Sequence, residues 1–342
     1  MNIAIFGAGS TGCYLAGELL MAKLNVSLIC RERIKRSIIE NQGITLTSYQ
    51  GLHQKVMPKA LITELATNQN IDSNSNLQNK VNPAPLFDVI FVTVKCHQLA
   101  AITEQLLQIT HSQSSIIFMQ NGLGSLDEIL PLLTHRHVSQ GITPFNVLQQ
   151  PNATFHKGTE GQFTFASTQH TKAIQQAMRK AQQSECILVD DMAPVIHGKL
   201  LLNLNNALNA ITDVPIKQQL SQRRTRKLLS LAMKEWLSVC KQAKLPLTQF
   251  TKVKPTWLPL ILSMPDWLFN LIAKQMLDID PKARSSMWED IQAKRQTEID
   301  YLNGAVVNLG RQVNVSTPVN AAITAGIKQL EQGQTVDIDT LF

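Results

Sequence analysis

The hydrophobic pattern of the first part of the chain alternates short apolar runs with helix-like stretches. NIAIF (residues 2–6) and NVSLICR (25–31) are typical of buried strands, and CYLAGELLMAKL between them is typical of a helix. Three more strand-like runs follow, with a helical pattern in QLAAITEQLLQIT: FDVIFVTV (87–94), SSIIFMQ (114–120) and HVSQGITPF (137–145). This alternation predicts an α/β fold with an N-terminal Rossmann-type, doubly wound parallel sheet.

The pattern changes in the second half. HKGTEGQFTFAS (156–167) predicts a short β segment, and beyond about residue 170 nearly every stretch has helical spacing. We therefore predict a nucleotide-binding domain over 1–170 and an all-helical C-terminal domain over 171–342. The Asn-, Gln- and Ser-rich segment 68–85 predicts a flexible surface loop in the first domain.

Composition narrows the class of protein. With 44% apolar and 17% charged residues, the chain is typical of a soluble globular protein. Its five cysteines have irregular spacing and no CxxC pair, which favours reduced thiols, a cytoplasmic setting and no structural metal. Segment 256–273, TWLPLILSMPDWLFNLIA, is interrupted by Pro259, Pro265 and Asp266, too often for a membrane span. We interpret it as a helix–turn–helix of the core, with an interfacial membrane element as the alternative.

The formal net charge of +7 would suit an anionic ligand, although scattered charges usually serve solubility. The basic run SQRRTRK (221–227) contains no interleaved aromatic residues. It therefore predicts a solvated helix face and no nucleic-acid partner.

A glycine-rich motif, GAGSTG, follows the first predicted strand and opens the first predicted helix. In this context the first glycine makes a tight turn, the second lets the backbone approach a pyrophosphate, and the third lets helix and strand pack closely. The helix N-terminus adds amide donors for phosphate. The motif predicts a dinucleotide site formed by Gly7, Ala8, Gly9, Ser10, Thr11 and Gly12.

The residue that ends the second strand indicates which dinucleotide binds. An NAD site places Asp or Glu there, against the ribose 2′-hydroxyl, but this chain has Arg31. A guanidinium suits a 2′-phosphate, so we predict NADP(H), with Arg33 as the second candidate. The alternative is that these cations only solvate a helix start.

An unusual polar face lies in HGKLLLNLNNALNAI (197–211). On one helix Lys199, Asn203 and Asn206 would fall within roughly 60° of each other, while Asn205 points elsewhere. Because an unpaired buried amide is costly, this face needs partners, either protein groups, water or a ligand. Two other polar residues follow predicted strands, where doubly wound sheets bind ligands: Lys95 in VTVKCHQ and Asn121 in MQNGLG.

Together with SSMWEDIQAKRQTEIDYLNGAVV (285–307), these motifs resemble the ketopantoate reductase (2-dehydropantoate 2-reductase) family over nearly the whole chain. The resemblance implies that Lys199 is the general acid for the ketone oxygen and that Glu298 acts in the same site. It also implies that the helix asparagines hold substrate, that Ser286 contacts the substrate carboxylate, that Asn121 meets cofactor and substrate, and that Lys95 lies on the cofactor side.

The implied activity is the NADPH-dependent reduction of 2-dehydropantoate (ketopantoate) to pantoate, a step of pantothenate biosynthesis on the route to coenzyme A. The partner is then a small 2-keto acid, with no membrane partner, and a homodimer is an open option. Two alternatives remain. The substrate could be another branched 2-keto acid, or the chain could be a non-catalytic NADP(H)-binding redox sensor.

Some positions depart from the family pattern. Ala207 stands where a second substrate asparagine is expected, so Asn206 is the nearest match. The stretch GITPFN (141–146) also differs from the family pattern, so we assign no contact with the nicotinamide to Asn146 or Val147. The resemblance places Ser286 and Glu298 against one small substrate, but on one straight helix they would lie roughly 18 Å apart, so we predict a break between them. Ser286 with Glu289 also fits a capping box, the alternative role for this serine.

Overall fold

The computed structural model describes residues 1–65, 86–182, 184–272 and 283–341. The chain forms two compact units, one of residues 1–120 and 126–190 and the other of residues 121–125 and 191–342. The predicted loop at 68–85 lies outside the described residues.

The first unit contains a parallel sheet and a smaller second sheet. Its strands among the described residues are β1 (Asn2–Phe6), β2 (Asn25–Ile29), β3 (Ile44–Ser48), β4 (His53–Val56), β5 (Ala60–Ile62), β6 (Phe87–Val92), β7 (Thr110–Phe118), β8 (His137–Ile142), β9 (Val147–Gln150), β10 (Thr154–Lys157), β11 (Thr164–Ala166) and β12 (Ile187–Val189). Its helices are α1 (Ser10–Met21), α2 (Glu32–Glu40), α3 (Leu99–Gln108) and α4 (Gln169–Ala181).

The main sheet has the order β12-β11-β8-β7-β6-β1-β2-β5. From β5 to β8 all neighbouring strands are parallel, which confirms the doubly wound Rossmann-type prediction. Strand β1 is buried on both faces, with Ile3 and Ile5 in one core and Ala4 and Phe6 in the other. Since the chain reverses its winding direction between β1 and β6, the carboxyl ends of these two strands flank the crevice in which such sheets bind ligands.

The second sheet, of order β4-β3-β10-β9, was not predicted as a sheet. Its strands β3 and β4 are short, and β4 is mostly exposed, so they lack a long apolar signal. Helix α1 packs against this sheet as well as against its own βαβ neighbours. At the contact, a Cβ on Gly17 would lie 2.5 Å from Leu46 Cδ1, which shows how closely the helix approaches β3.

In the described part of the second unit all the regular secondary structure is helical, as predicted. Its helices are α5 (Ala193–Asn203), α6 (Asn205–Thr212), α7 (Ile216–Ser221), α8 (Arg223–Gln242), α9 (Leu258–Ser263), α10 (Asp266–Ile272), α11 (Ser286–Gln292), α12 (Asn303–Gln312) and α13 (Pro318–Glu331). They enclose one apolar core in which Trp236, Leu200 and Leu208 are fully buried.

The boundary between the units differs from the predicted one at residue 170. The first unit continues to Asp190 because α4 follows β11 directly and β12 pairs with β11 in parallel, Thr164 opposite Ile187. The short loop Asn121–Ser125 belongs to the second unit, although it follows a strand of the first. Neither feature has a clear signal in the hydrophobic pattern.

One residue of the basic run was wrongly predicted. Arg223, Arg224 and Lys227 are exposed, as expected for a solvated face, but Arg226 is fully buried. Its guanidinium lies over the Phe269 ring and donates to the Asp266 carboxylate and to the carbonyl oxygens of Leu220, Ser221, Leu262 and Met264. A buried cation needs such partners, and most of them come from 36 to 40 residues further along the chain.

Candidate active site

The glycine-rich loop after β1 has the geometry that its motif predicts. Gly7 has a φ of +111°, and its N–H donates to the Ile29 carbonyl oxygen over 3.1 Å. The Thr93 hydroxyl in turn donates to the Gly7 carbonyl oxygen at 2.5 Å. A Cβ on Gly12 would overlap that same carbonyl oxygen. The first and third glycines are therefore required by the closure of the turn itself.

Gly9 has a different reason to be glycine. It is the N-cap residue of α1, with extended backbone angles and no side chain to accept from the first-turn amides. A Cβ placed on Gly9 would meet nothing within 4 Å. The folded chain therefore leaves open the space above this residue, and the N-terminus of α1 offers its amides and dipole to an anion. This arrangement fits a pyrophosphate, with the half-buried Ala8, Ser10 and Thr11 beside it.

Arg31 lies at the end of the neighbouring strand. It is exposed and is the N-cap residue of α2, two positions after Ile29, which pairs with Phe6 at the end of β1. Arg33 is also exposed. The acidic residue between them, Glu32, pairs with cations one turn further along α2, Lys35 at 3.9 Å and Arg36 at 3.5 Å.

Lys95 follows the strand on the other side of β1. It is half-buried and precedes the 3-10 turn Cys96–Gln98, and its backbone N–H donates to the Gln98 side chain at 3.2 Å. Arg31, the glycine loop and Lys95 thus follow three adjacent parallel strands at the same edge of the sheet. At the end of the stretch GITPFN (141–146), the Asn146 N–H donates to the Thr159 hydroxyl. The next residue, Val147, is buried at the start of β9.

In the second unit, Lys199 is a half-buried residue on α5. Burial lowers the pKa of its ammonium from 10.5 to about 8, because water that would stabilise the charge is removed. The helix is held firmly at this level. A Cβ on Gly198 would overlap the Thr248 carbonyl oxygen, and the Trp236 indole N–H donates to the His197 carbonyl oxygen at 3.1 Å.

Asn203, one turn after Lys199, contacts a second predicted site residue. Its amide donates to Asn121 Oδ1 at 3.2 Å. The loop that carries Asn121 is fixed in turn, since the Leu123 N–H donates to the Tyr301 carbonyl oxygen at 2.9 Å. Gly122 has a φ of +85°, and a Cβ there would overlap that same oxygen. These bonds join α5, the loop 121–125 and the turn at Tyr301.

Glu298 begins that turn. It is buried and lies at the N-terminal end of the 3-10 turn Ile299–Tyr301, with its carbonyl oxygen accepting from the Tyr301 N–H. The structure therefore brings the segments of four predicted residues together in one hydrogen-bonded arrangement: Lys199, Asn203, Asn121 and Glu298.

The spacing predicted that Lys199 and Asn206 would lie on one continuous helix, but the structure places them on two. The helix is interrupted at Leu204, so Asn206 lies on α6. The other asparagines of the run have protein partners: Asn205 accepts from Gln219, and the fully buried Asn209 bonds to Val214, Gln219 and the Ser285 N–H. Much of the polar character of this run is therefore structural.

The alternative role of Ser286 as the N-cap of a helix is wrong, because the neighbouring serine fills that position. Ser285 is the N-cap of α11, and its hydroxyl accepts from the Trp288 N–H at 3.1 Å. The same hydroxyl donates to the Asn206 carbonyl oxygen at 2.9 Å. Ser286 is the exposed first residue of the helix, so capping does not occupy its hydroxyl. Through Ser285 the segments of Asn206 and Ser286 are adjacent.

The predicted break between Ser286 and Glu298 is confirmed. Helix α11 ends at Gln292, and Lys294 has a left-handed φ of +52°. The Lys294 N–H donates to Ile291 and the Arg295 N–H to Asp290, the hydrogen-bond pattern of a Schellman motif. Glycine usually occupies the left-handed position, so a lysine there gives no sequence signal for the helix end.

The parallel sheet and the glycine loop place this chain in the Rossmann-type class of nucleotide-binding folds. Two family models cover it: "Ketopantoate reductase PanE/ApbA" matches residues 3–170, and "Ketopantoate reductase PanE/ApbA C terminal" matches residues 191–331. The chain belongs to the ketopantoate reductase family.

Several individual relatives are distant in sequence but cover nearly the full length of the chain. A 2-dehydropantoate 2-reductase of Vibrio cholerae is 25% identical over 348 residues, which span 97% of this chain and 98% of the relative. A PanE/ApbA family ketopantoate reductase of Ralstonia eutropha has a similar structure, with a TM-score of 0.77, 21% identity and coverage of 98% and 99%. D-Mandelate dehydrogenase, solved with NADH and anilino(oxo)acetate, has a TM-score of 0.72, 18% identity and coverage of 97% and 99%.

Proposed function

We propose that this chain reduces 2-dehydropantoate to pantoate with NADPH. The observation that carries the proposal is the half-buried Lys199, with a pKa lowered to about 8, one helical turn from the Asn203–Asn121 hydrogen bond. The membership of the chain in the ketopantoate reductase family supports the same reaction.

The residues of the first unit fit NADP(H). The open space at Gly9 and the N-terminus of α1 would accept the pyrophosphate, and Arg31 would pair with a 2′-phosphate. Lys95 of the first unit and Asn121, which belongs to the second unit, complete the proposed set. When bound, the cofactor supplies a hydride to the carbonyl carbon of the substrate.

The residues of the second unit supply the proton and the orientation. Hydride addition leaves negative charge on the ketone oxygen, which the Lys199 ammonium would stabilise and then protonate. The amides of Asn203, Asn206 and Asn121 would bind substrate oxygens. Ser286, whose hydroxyl is not used for capping, would donate to the substrate carboxylate, and Glu298 would act in the same site.

The lowered pKa of Lys199 suits this role. An ammonium with a pKa of about 8 is still mostly protonated at pH 7, so it is ready to donate. It is also a stronger acid than an ordinary lysine, and proton transfer is most efficient when the donor pKa lies near the working pH. Burial thus tunes the group for general acid catalysis without removing its charge.

Cofactor preference provides the first prediction. Arg31→Ala should weaken NADPH binding by about tenfold or more and leave NADH binding nearly unchanged, because only NADPH carries the 2′-phosphate. Fluorescence titration of both cofactors measures the two dissociation constants. Arg36→Ala is the matched control, since that exposed guanidinium pairs with Glu32. An equal loss of affinity for NADPH and NADH would contradict the assignment.

The second prediction concerns the loop that carries Asn121. Gly122→Ala should lower kcat/KM by about tenfold or more, because the new Cβ would push the loop off Tyr301 and misplace the Asn121 amide. Gly333→Ala is the control, since Gly333 also has a positive φ, +76°, but open space around it. If both variants have the same kinetics, the contact between Gly122 and Tyr301 does not position Asn121.

A second candidate substrate class is favoured by one comparison. D-Mandelate dehydrogenase shares this fold, and the keto acid that corresponds to mandelate is the aromatic phenylglyoxylate. Measuring kcat/KM for ketopantoate, phenylglyoxylate and branched aliphatic 2-keto acids tests the two. We expect ketopantoate to give the largest value, and a larger value for any other keto acid would move the assignment to that substrate.

The cellular setting is part of the same proposal. A role in pantothenate biosynthesis follows from the reaction, and a cytoplasmic location is supported by the five cysteines, all of which are buried and free. A structure of ketopantoate reductase from Staphylococcus aureus is described as dimeric, which supports a homodimer here. Sedimentation of the purified chain tests the latter.

A further inference from the structure

Large apolar side chains point outward on one part of the second unit. The exposed fractions are 61% for Trp257, 59% for Leu260, 71% for Trp267 and 73% for Leu271. They belong to the 3-10 turn Pro255–Trp257 and to helices α9 and α10, which pack against one another. We call the exposed face of these elements, together with the exposed residues of α8, the α8–α10 surface.

These side chains are exposed although the helices that carry them bury other apolar residues in the core. On α9, Leu258, Ile261 and Leu262 are buried in the core while Leu260 points away from it. On α10, Phe269 is buried under Arg226, and Trp267 and Leu271, four residues apart, share the opposite, exposed face. Both short helices therefore present apolar residues to the core and also to the outside.

The chain segment that forms α8, α9 and α10 also carries a high positive charge. Residues 223–272 contain nine Lys and Arg against two Asp and Glu, a formal charge of +7, which equals that of the whole chain. Both acids are already engaged, Glu235 by the N–H groups of Val319 and Asn320 and Asp266 by Arg226. The exposed cations are Arg223, Arg224, Lys227, Lys234, Lys241, Lys244, Lys252 and Lys254, of which Arg224 pairs with the Asp339 carboxylate near the end of the chain.

The exposed apolar side chains and the excess of positive charge together favour one kind of binding partner for this surface. Tryptophan and leucine side chains flanked by lysines bind at the interface of a bilayer with anionic headgroups, where the rings enter the headgroup region and the lysines meet phosphate and carboxylate. A second copy of the chain fits less well, because a two-fold contact would place the same basic surface against itself. Among the described helices, none has the length and hydropathy needed to cross a bilayer.

We propose that the α8–α10 surface docks the protein on an anionic phospholipid membrane. The described part of segment 256–273, residues 256–272, then combines the two interpretations that its sequence allowed: the inner side is core, and the outer side is an interfacial membrane element. The proposal also replaces the expectation, drawn from the interrupted apolar pattern of this segment, that the protein has no membrane partner. It concerns residues outside the proposed active site and stands whether or not the proposed reaction is correct.

Vesicle flotation with the full chain tests the proposal. We expect binding to vesicles of phosphatidylcholine mixed with phosphatidylserine, weakening as salt is raised, and little binding to phosphatidylcholine alone. Trp267→Ser with Leu271→Ser, and separately Lys234→Glu with Lys254→Glu, should each lower vesicle affinity by about tenfold or more. Thermal unfolding and NADPH binding of each variant should match the parent.

Matched controls lie on the first unit. Leu130→Ser with Leu132→Ser removes two exposed leucines, and Lys172→Glu with Lys180→Glu makes the same change of net charge on α4. Both should bind vesicles like the parent. Absence of vesicle binding, or equal loss in controls and surface variants, would overturn the proposal. A dimer in sedimentation that Trp267→Ser with Leu271→Ser dissociates would assign the surface to a second copy instead.

Discussion

Lys199→Ala is expected to lower turnover of 2-dehydropantoate by at least about 10²-fold while leaving NADPH affinity nearly unchanged. The alanine removes both the proton donor and the positive charge that stabilises the developing oxyanion, whereas the proposed phosphate-binding residues lie elsewhere in the sequence. Steady-state kinetics and NADPH titration measure the two quantities. Lys227→Ala, which removes an exposed lysine of the same unit, is the control and should behave like the parent.

The pH dependence of the parent enzyme tests the same role. Because the ammonium must be protonated to donate, kcat/KM should fall as the pH rises through about 8, the lowered pKa of Lys199, instead of near 10.5. Lys199→Arg keeps a positive charge but cannot donate a proton at these pH values, so this variant should be slow and should lose the alkaline decline. Parent-like turnover in Lys199→Ala would remove this residue from the mechanism.

Gly9→Ala is expected to weaken NADPH binding by about 10²-fold without lowering the melting temperature. In the folded chain the added methyl meets nothing within 4 Å, so it should not disturb packing. It would, however, occupy the space through which the backbone approaches the pyrophosphate. Calorimetric titration with NADPH, together with thermal unfolding of the free protein, separates the two effects.

Gly12→Ala provides the contrast. Its Cβ would overlap the Gly7 carbonyl oxygen and lie 2.5 Å from the Thr93 hydroxyl, so this variant should unfold at a lower temperature even without cofactor. If Gly9→Ala instead binds NADPH like the parent, the open space at Gly9 is not the pyrophosphate site.

The parts of the fold that could be predicted from sequence have local signals. Strands β1, β2 and β6 are apolar runs and β7 ends in one, and the glycine motif lies between a strand and a helix, so its conformation follows from nearest neighbours. The need for a break before Glu298 followed from helix geometry, once the family resemblance had placed Ser286 and Glu298 in one site. These features could be predicted because each depends on residues close together in the chain.

The features that were missed depend on distant contacts. Arg226 is buried because carbonyl oxygens from α9 and the turn after it accept hydrogen bonds from its guanidinium. The sequence SQRRTRK gives no signal for these distant partners. Ser285 caps α11 while bonding to Asn206, which lies 79 residues earlier. Lys294 adopts the left-handed conformation at a helix end without a glycine. Tertiary contacts override local preference at each of these positions.

The most direct test of the proposed reaction follows NADPH absorbance as purified protein is mixed with 2-dehydropantoate, and then identifies the product. We expect rapid NADPH oxidation, formation of pantoate in equal amount, and much slower oxidation of NADH. NADPH that binds but is not oxidised by 2-dehydropantoate or by other 2-keto acids would contradict it, and would leave the chain as a cofactor-binding sensor of the same fold.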